Sequence, residues 1–312
     1  MRAAVVQQYG PPEVAHMREI PRPQPRAGEV LVRVHAAAVT AADARIRGAS
    51  FPPGFGVLSR LALGIRRPRR QVLGSAFSGE VVQAVDGGPS VGEQVCGMSG
   101  ARFGAHAEYI AVPNDRVVRT PATVSHEQAA GMLFGGTTAL FFLRDKARVG
   151  PGMTVLVIGA SGAVGTNAVQ LARHLGATVT GATSTPNLDL VSSLGADTID
   201  YTRTSATELD RHYDVVLDAT GTLSPAAGRR LVAPGGTLAL VAASLWQILG
   251  SVGRATAGAA PERAADFTYL LDLMDQGALT AVIDQDLDLD EIATAHARVD
   301  SGRKVGNIIV RP

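Results

Sequence analysis

One stretch constrains the fold more than any other. It reads Val155-Leu156-Val157-Ile158, then Gly159-Ala160-Ser161-Gly162-Ala163-Val164-Gly165, then an apolar-faced segment running to Leu175. Four consecutive β-favouring apolar residues describe a strand buried on both faces, as in a parallel sheet. Glycines follow at positions 159, 162 and 165. Val164, Ala168, Leu171, Ala172 and Leu175 then recur at helical spacing, giving one apolar face to pack on that sheet. A strand, a glycine turn and a helix in this order build an anion site. Backbone N–H groups and the positive end of the helix dipole face a diphosphate that side-chain-free glycines allow to come close. A glycine triplet by itself also fits a tight βα turn without a ligand. The strand before it and the helix after it are the context that favours a dinucleotide.

The remaining composition narrows the setting. A length of 312 residues suits two domains better than one core, and 46% hydrophobic residues with 35 glycines fit a globular α/β protein. The formal charge of +1 provides no global field for nucleic acid or an acidic membrane, and neither is expected as a partner. The local exception is Arg66-Arg67-Pro68-Arg69-Arg70, read as a solvated loop or a phosphate contact. Cys96 is the only cysteine, which excludes an intrachain disulfide and a four-cysteine zinc site. Met1 to Gly10 lacks the layout of a signal peptide, and the apolar stretch Leu231 to Val252 is broken by Pro234-Gly235-Gly236. A soluble, cytoplasmic protein is the expectation.

Taken in order, the chain reads first as β. Arg2 to Val6, Glu29 to Ala36, Val72 to Ala84, Val91 to Met98 and Ala107 to Val112 are strand-like, with Asp86-Gly87-Gly88 as a turn. Pro21-Arg22-Pro23-Gln24-Pro25 forbids helix and central strand alike. Phe51 to Arg70 is a loop or helix over a site, or a surface excursion. After Pro121 the period changes. His126 to Phe142 reads as helix, interrupted at Gly135-Gly136-Thr137-Thr138, with Phe141 to Val149 continuing it. Strands at Val155–Ile158, 178–181, 198–201, 215–219 and 237–241 then alternate with helices, the signature of a doubly wound parallel sheet. Ala264 to Met274 and Leu287 to Arg298 read as helices, and Ile308 to Val310 as a closing strand.

These segments resemble the zinc-independent quinone oxidoreductase (zeta-crystallin-like) branch of the medium-chain dehydrogenase/reductases. The resemblance rests on Met1 to Val6 with Tyr9-Gly10-Pro11-Pro12, Gly28 to Val34, Ala107-Glu108-Tyr109, Gly159 to Gly165, Leu194 to Asp197, Ile199-Asp200-Tyr201 and Gly235-Gly236. It implies an α/β chain with a Rossmann domain at 123–261. A mostly β, GroES-like catalytic domain would comprise 1–122 and 262–312, with the active site in the cleft between them and a homodimer as the assembly. Zinc-dependent relatives carry cysteine and a His-Glu pair where this chain has Thr40, Ser75 and Ala76, and Cys96 matches no ligand position. A hydroxyl and an alanine do not replace thiolate and imidazole, so no metal is expected.

For the cofactor, an acidic residue roughly 20 positions beyond the glycines would hold the ribose hydroxyls of NAD. The chain instead has Thr183-Ser184-Thr185-Pro186-Asn187, neutral donors suited to the 2′-phosphate of NADPH. Thr185-Pro186 equally reads as a helix cap with a first-turn proline, and Asp189 argues for NADH. In the family a lysine near Asn187 and a tyrosine at Tyr201 touch the phosphate; only the tyrosine is present. Cofactor contacts are thus assigned to Gly159, Ser161, Gly162, Ala163, Val164 and Gly165 in the turn, and to Ser184, Asn187 and Tyr201. The resemblance adds Thr138, Thr220, Val241, Ala242 and Ala243, and Lys304 to Asn307 in the carboxyl-terminal loop, where Lys304 is equally well an ordinary surface lysine. The catalytic candidates are Thr40, Arg45 and Asp43. Thr40 and Arg45 depart from the asparagine and tyrosine common in the family, Arg47 is a second cation, and Asp43 equally suits a helix cap. The implied reaction is metal-free hydride transfer from NADPH to a quinone or an activated double bond. A metal-free carbonyl or alcohol dehydrogenase, and an NADPH-binding protein whose chemistry has lapsed, are the alternatives.

Overall fold

The computed structural model describes residues 1–51, 53–54, 56–85, 88–204, 211–242 and 255–312. The expected turn residues Asp86 and Gly87, and Ala243, lie outside the described residues. The chain divides into two compact units, one made of Met1–Phe51, Gly56–Phe134 and Glu262–Pro312, the other of Pro52–Phe55 and Gly135–Pro261.

The first unit is built around the strand Glu29–Val39. Ala76–Ala84 pairs antiparallel along one edge, while Tyr109–Pro113 and Asn307–Arg311 take successive parts of the other. Enclosure on both edges explains the apolar run. Val30, Val32 and Val34 enter one core with Phe77, Val81, Ile110 and Val310, and Leu31 on the other face is buried too. Arg33 escapes burial by pairing with its cross-strand neighbour Glu80 at 2.6 Å. Among the described residues Gln94–Met98, Val117–Arg119 and Ile283–Asp288 complete a seven-stranded sheet, and Arg2–Val6 pairs with Ala15–Glu19 in a separate two-stranded one.

Among the described residues the second unit has six parallel strands. Their spatial order is Asp197–Asp200, Thr178–Thr183, Thr154–Ile158, Tyr213–Asp218, Val232–Leu240 and Ala255–Ala257. Numbered along the chain this is 3-2-1-4-5-6, the doubly wound order, with its switch point between Thr154–Ile158 and Tyr213–Asp218. The α/β class and the doubly wound sheet expected from the sequence are both present.

Two local expectations fail. Gly135 to Thr138 do not interrupt a helix: His126–Leu140 is continuous and runs on as a π-helical turn, Phe141–Lys146. Gly135 is there for proximity, since a Cβ would lie 2.4 Å from the carbonyl oxygen of Ala163. Nor is Leu287 to Arg298 one helix. Asp288 ends a strand and forms a capping box with Glu291, so the α-helix runs over Ile292–Asp300. Phe51 to Arg70 contains a helix, Gly56–Leu63.

Candidate functional site

At the switch point of the second unit, the helix Ala163–His174 starts directly from the glycine turn, with Gly162 at its N-cap and no side chain capping it. The first-turn N–H groups therefore face outward unoccupied by any cap, where the helix dipole is positive. Gly159 sits at φ +76°. At Gly165 a Cβ would lie 2.0 Å from the carbonyl oxygen of Gly159, so the turn and helix touch backbone to backbone. A Cβ on Gly162 would meet nothing closer than 3.4 Å, which leaves the outer lip of the turn open. This is a cradle a diphosphate fits.

Beside the turn, the strand Thr178–Thr183 ends in a hydroxyl cluster. Thr183 Oγ1 donates to Ser161 Oγ at 2.9 Å, and Asn187 Nδ2 lies 3.2 Å from both Ser161 Oγ and Ser184 Oγ. Four residues chosen for the cofactor, or adjacent to it, thus meet at one point. Tyr201 is 52% exposed, and its backbone N–H holds Thr183 O at 3.0 Å. An acidic group, Asp200, accepts from the hydroxyls of Thr185 and Thr202, each at 2.6 Å. Those hydrogen bonds hold its carboxyl below the usual carboxylate range. Arg203 Nε is 3.5 Å from Asp200. The sequence reading passed over Arg203; its place two residues beyond Tyr201 was the available signal.

On the other side of the switch point, Asp218 organises the next loop. Fully buried, it accepts from the backbone N–H and hydroxyl of Thr220, from Gly221 N and from Leu223 N, at 2.6 to 3.0 Å. The loop so held puts Thr220 against Gly159, with 2.4 Å between Thr220 Cγ2 and a Cβ built on the glycine. Asp218 was also missed, since an aspartate ending an apolar strand looks like a simple boundary. Val241 and Ala242 follow the end of Val232–Leu240 and are half-buried. Thr138 lies half-buried on the helix His126–Leu140 rather than in a turn.

The remaining candidates belong to the first unit. Thr40 is the N-cap of Ala41–Gly48 and closes a capping box with Asp43. Its hydroxyl donates to Asp43 Oδ2 at 2.6 Å and accepts from Asp43 N at 3.3 Å. Asp43 Oδ2 also takes Thr40 N, and Oδ1 takes Gly74 N at 2.9 Å. Both side chains are buried and committed to one another and to backbone. Arg47, 2% exposed, bonds Gly10 O and pairs with Asp300. Arg45 is exposed. Asn307 is buried, its Nδ2 donating to Val282 O at 3.1 Å. Lys304 donates to Gly306 O at 2.5 Å, and burial lowers its ammonium to about 8.

A zinc ion finds no donor set at the family's ligand positions. Thr40 is spent on its cap, and Ser75 and Ala76 supply neither thiolate nor imidazole. Burial pushes the Cys96 thiol up to about 12. Among the described residues no three His, Cys, Asp or Glu side chains converge on a metal position.

Comparisons with known proteins show the family and the fold. Residues 26–122 match the alcohol dehydrogenase GroES-like domain, and residues 194–310 the zinc-binding dehydrogenase domain. The chain is 30% identical to a quinone oxidoreductase of Pseudomonas aeruginosa over 97% of both chains. It is 34% identical to a chloroplastic NADPH-dependent alkenal/one oxidoreductase of Arabidopsis thaliana over 71% of this chain and 58% of that one. The structure of the quinone oxidoreductase from Coxiella burnetii superposes with a TM-score of 0.89 at 27% identity, covering 100% of this chain and 99% of that one.

Proposed function

The chain belongs to the quinone oxidoreductase branch of the medium-chain dehydrogenase/reductases, and from that premise we propose an NADPH-dependent, zinc-free oxidoreductase that reduces a quinone or an α,β-unsaturated carbonyl compound. The observation that carries the cofactor choice is the Ser161, Thr183, Ser184 and Asn187 cluster. It stands at the end of the second strand, where a carboxylate would select the ribose of NAD, and it contains no carboxylate. Hydroxyl and amide donors there would stabilise a 2′-phosphate, and Tyr201, tied to Thr183 through its backbone N–H, and Arg203, which lies against Asp200, would supply a further hydroxyl and a cation. Ala163, Val164 and Gly165 offer backbone N–H groups to the diphosphate.

When bound, NADPH supplies the hydride, delivered to the quinone ring or to the β-carbon of the enone. The protein's task is to orient the reactants and stabilise the oxyanion that develops on the acceptor. Thr40 and Asp43 have no free valence for this, so they act by fixing the start of their helix. Arg45 is the catalytic candidate whose guanidinium is exposed and available for negative charge, and solvent supplies the proton. A homodimer, joined through an edge of the parallel sheet, completes the reading and is checked by light scattering.

The deciding experiment follows nicotinamide absorbance while purified protein and NADPH meet quinones, enones and simple ketones in turn. Turnover with quinones or enones is expected. Oxidation with ketones alone would replace this reading by a carbonyl reductase, and tight NADPH binding with no turnover would make the protein a sensor. For the cofactor, Ser184→Asp should weaken NADPH binding at least roughly tenfold while sparing NADH, by charge repulsion against the 2′-phosphate.

A further inference from the structure

Between Asp43 and Glu80 the chain holds seven arginines, no lysine and no acidic residue, although its whole formal charge is only +1. Arg47 is buried in its pair with Asp300. Of the others, Arg60, Arg66, Arg67, Arg69 and Arg70 fall within eleven residues and are all exposed. The same segment carries two of the four large hydrophobic side chains exposed among the described residues, Leu61 at 53% and Ile65 at 59%. Exposed apolar tips inside a cluster of cations are unfavourable in water on both counts: unburied hydrocarbon and mutual repulsion.

The segment is nonetheless held in one shape. Arg69 N donates to Leu63 O at 2.7 Å, folding the chain back after the helix Gly56–Leu63. Tyr9 Oη donates to Gly64 O at 2.6 Å, Arg60 Nη1 reaches Ile65 O at 3.3 Å, and Pro68 is buried beneath the loop. Ile65 is therefore presented at the tip of an anchored turn, flanked by Arg66, Arg67 and Arg69. These residues bound a concavity of about 640 Å³, ample for an anionic headgroup.

We propose that this segment, Arg60 to Arg70, seats the protein on an anionic phospholipid surface, with Ile65 and Leu61 inserted among the acyl chains near the headgroups and the arginines on lipid phosphates. Charge complementarity selects the sign of the surface, and the two apolar side chains select a bilayer over a soluble polyanion, which has no hydrocarbon to offer them. No spanning element is needed, and none of the described helices is long and apolar enough to cross a membrane. The inference stands apart from the reaction proposed above.

The test is co-sedimentation of the full chain with vesicles of neutral phosphatidylcholine and with vesicles containing phosphatidylglycerol, at low and high salt. Binding to the anionic vesicles alone, weakened by salt, is expected. Arg66→Gln with Arg67→Gln should lower partitioning roughly 25-fold, about fivefold for each arginine near the surface. Ile65→Asp should lower it roughly tenfold or more. All three side chains are exposed, so both variants keep the parent's melting midpoint, which separates lost binding from lost folding. Four results overturn the proposal: no sedimentation with anionic vesicles at low salt, equal sedimentation with neutral ones, undiminished binding by both variants, or displacement by free glycerol phosphate. Binding to duplex DNA that survives Ile65→Asp while vesicles fail to bind would assign the patch to nucleic acid instead.

Discussion

Two polar clusters in this molecule look alike in sequence and differ in what they have left to give. Thr40, Asp43 and Arg47 lie on one short helix of the first unit, the first two at its start and the last in its final turn; Ser161, Thr183, Ser184 and Asn187 gather at a strand end in the second. In the first cluster every named group is buried and bonded inside the protein, through the capping box, Gly74 N, Gly10 O and Asp300, with Arg47 Nε buried among them and unpaired. In the second, Ser161, Ser184 and Asn187 are half-exposed and bond mainly one another through long, weak contacts of 3.2 Å. A buried polar group must be paired to be tolerated, whereas a ligand-binding group must keep a donor or acceptor in hand. Unspent valence, rather than residue type, separates the binding cluster from the structural one.

The largest effect expected is at the glycine turn. Gly165→Ala forces a Cβ against backbone, the carbonyl oxygen of Gly159 2.0 Å away, and the turn must open. NADPH binding should weaken on the order of 100-fold, the equivalent of about 3 kcal/mol of overpacking strain, as read by calorimetric titration. An unchanged affinity would detach the turn from the cofactor.

The second prediction asks whether the first unit's buried polar side is structural throughout. His296 is fully buried, edge-on to the His106 ring, with neither ring nitrogen hydrogen-bonded. Burial lowers its imidazolium to about 3, with electrostatic repulsion from its neighbours His106 and Arg47 adding to the effect. The unfolded chain, near the ordinary value of 6.5, then binds the extra proton. Stability is complete above pH 6.5 and falls as pH drops towards 3. By pH 5 the loss should be about 2 kcal/mol, measurable as a lower urea midpoint of the first unit. In His296→Leu that pH dependence should flatten; an equally steep fall in the variant would place the titrating group elsewhere.

How much of this was legible beforehand depends on which physics each residue obeys. The strand Thr154–Ile158 and the helix Ala163–His174 were readable because burial on both faces and helical periodicity leave marks within a few residues. Ile283–Asp288 was not, because its sequence Ile-Asp-Gln-Asp-Leu-Asp is that of an edge strand. Its acids are neutralised by distant partners, Asp284 by Arg298 at 2.7 Å and Asp286 by Arg311 at 3.0 Å. The Gly135 misreading has the same origin: a glycine needed for close approach of a segment 28 residues away looks locally like a helix breaker. At the site, the hydroxyls at Ser161 and Ser184 could be nominated from spacing, but their meeting point could not. Asp218 and Arg203 act through short-range polar contacts, Asp218 with groups two to five residues on and Arg203 with Asp200 three residues back, which hydrophobic periodicity does not mark.

A third, smaller effect tests Thr40 directly. Thr40→Ala removes the cap and one donor to the buried Asp43 carboxylate, at a cost of about 1 kcal/mol. The melting midpoint should drop by a few degrees, Thr40→Ser should restore it, and kcat well below the midpoint should hold. A kcat loss that Thr40→Ser fails to rescue would move Thr40 from the structural cluster into the chemistry.

The smallest effect is the most discriminating between the two nucleotides. Tyr201 touches the fold through its backbone N–H, donated to Thr183 O, while its ring is 52% exposed. Tyr201→Phe therefore leaves strand geometry and stability in place and deletes a single phenol donor. A hydrogen bond from that phenol to a 2′-phosphate is charge-assisted, but solvent screens it at this exposure, so its worth falls to about 1 kcal/mol or less. NADPH affinity should drop up to about fivefold, with a shallower salt dependence, while NADH affinity stays level because NADH has no phosphate there to lose. Equal losses for both nucleotides would mean that the ring stacks on a part they share, and the phosphate reading would then rest on Ser184, Asn187 and Arg203. No loss for either would place Tyr201 with Thr40, as a residue resembling a contact in sequence and serving the fold alone.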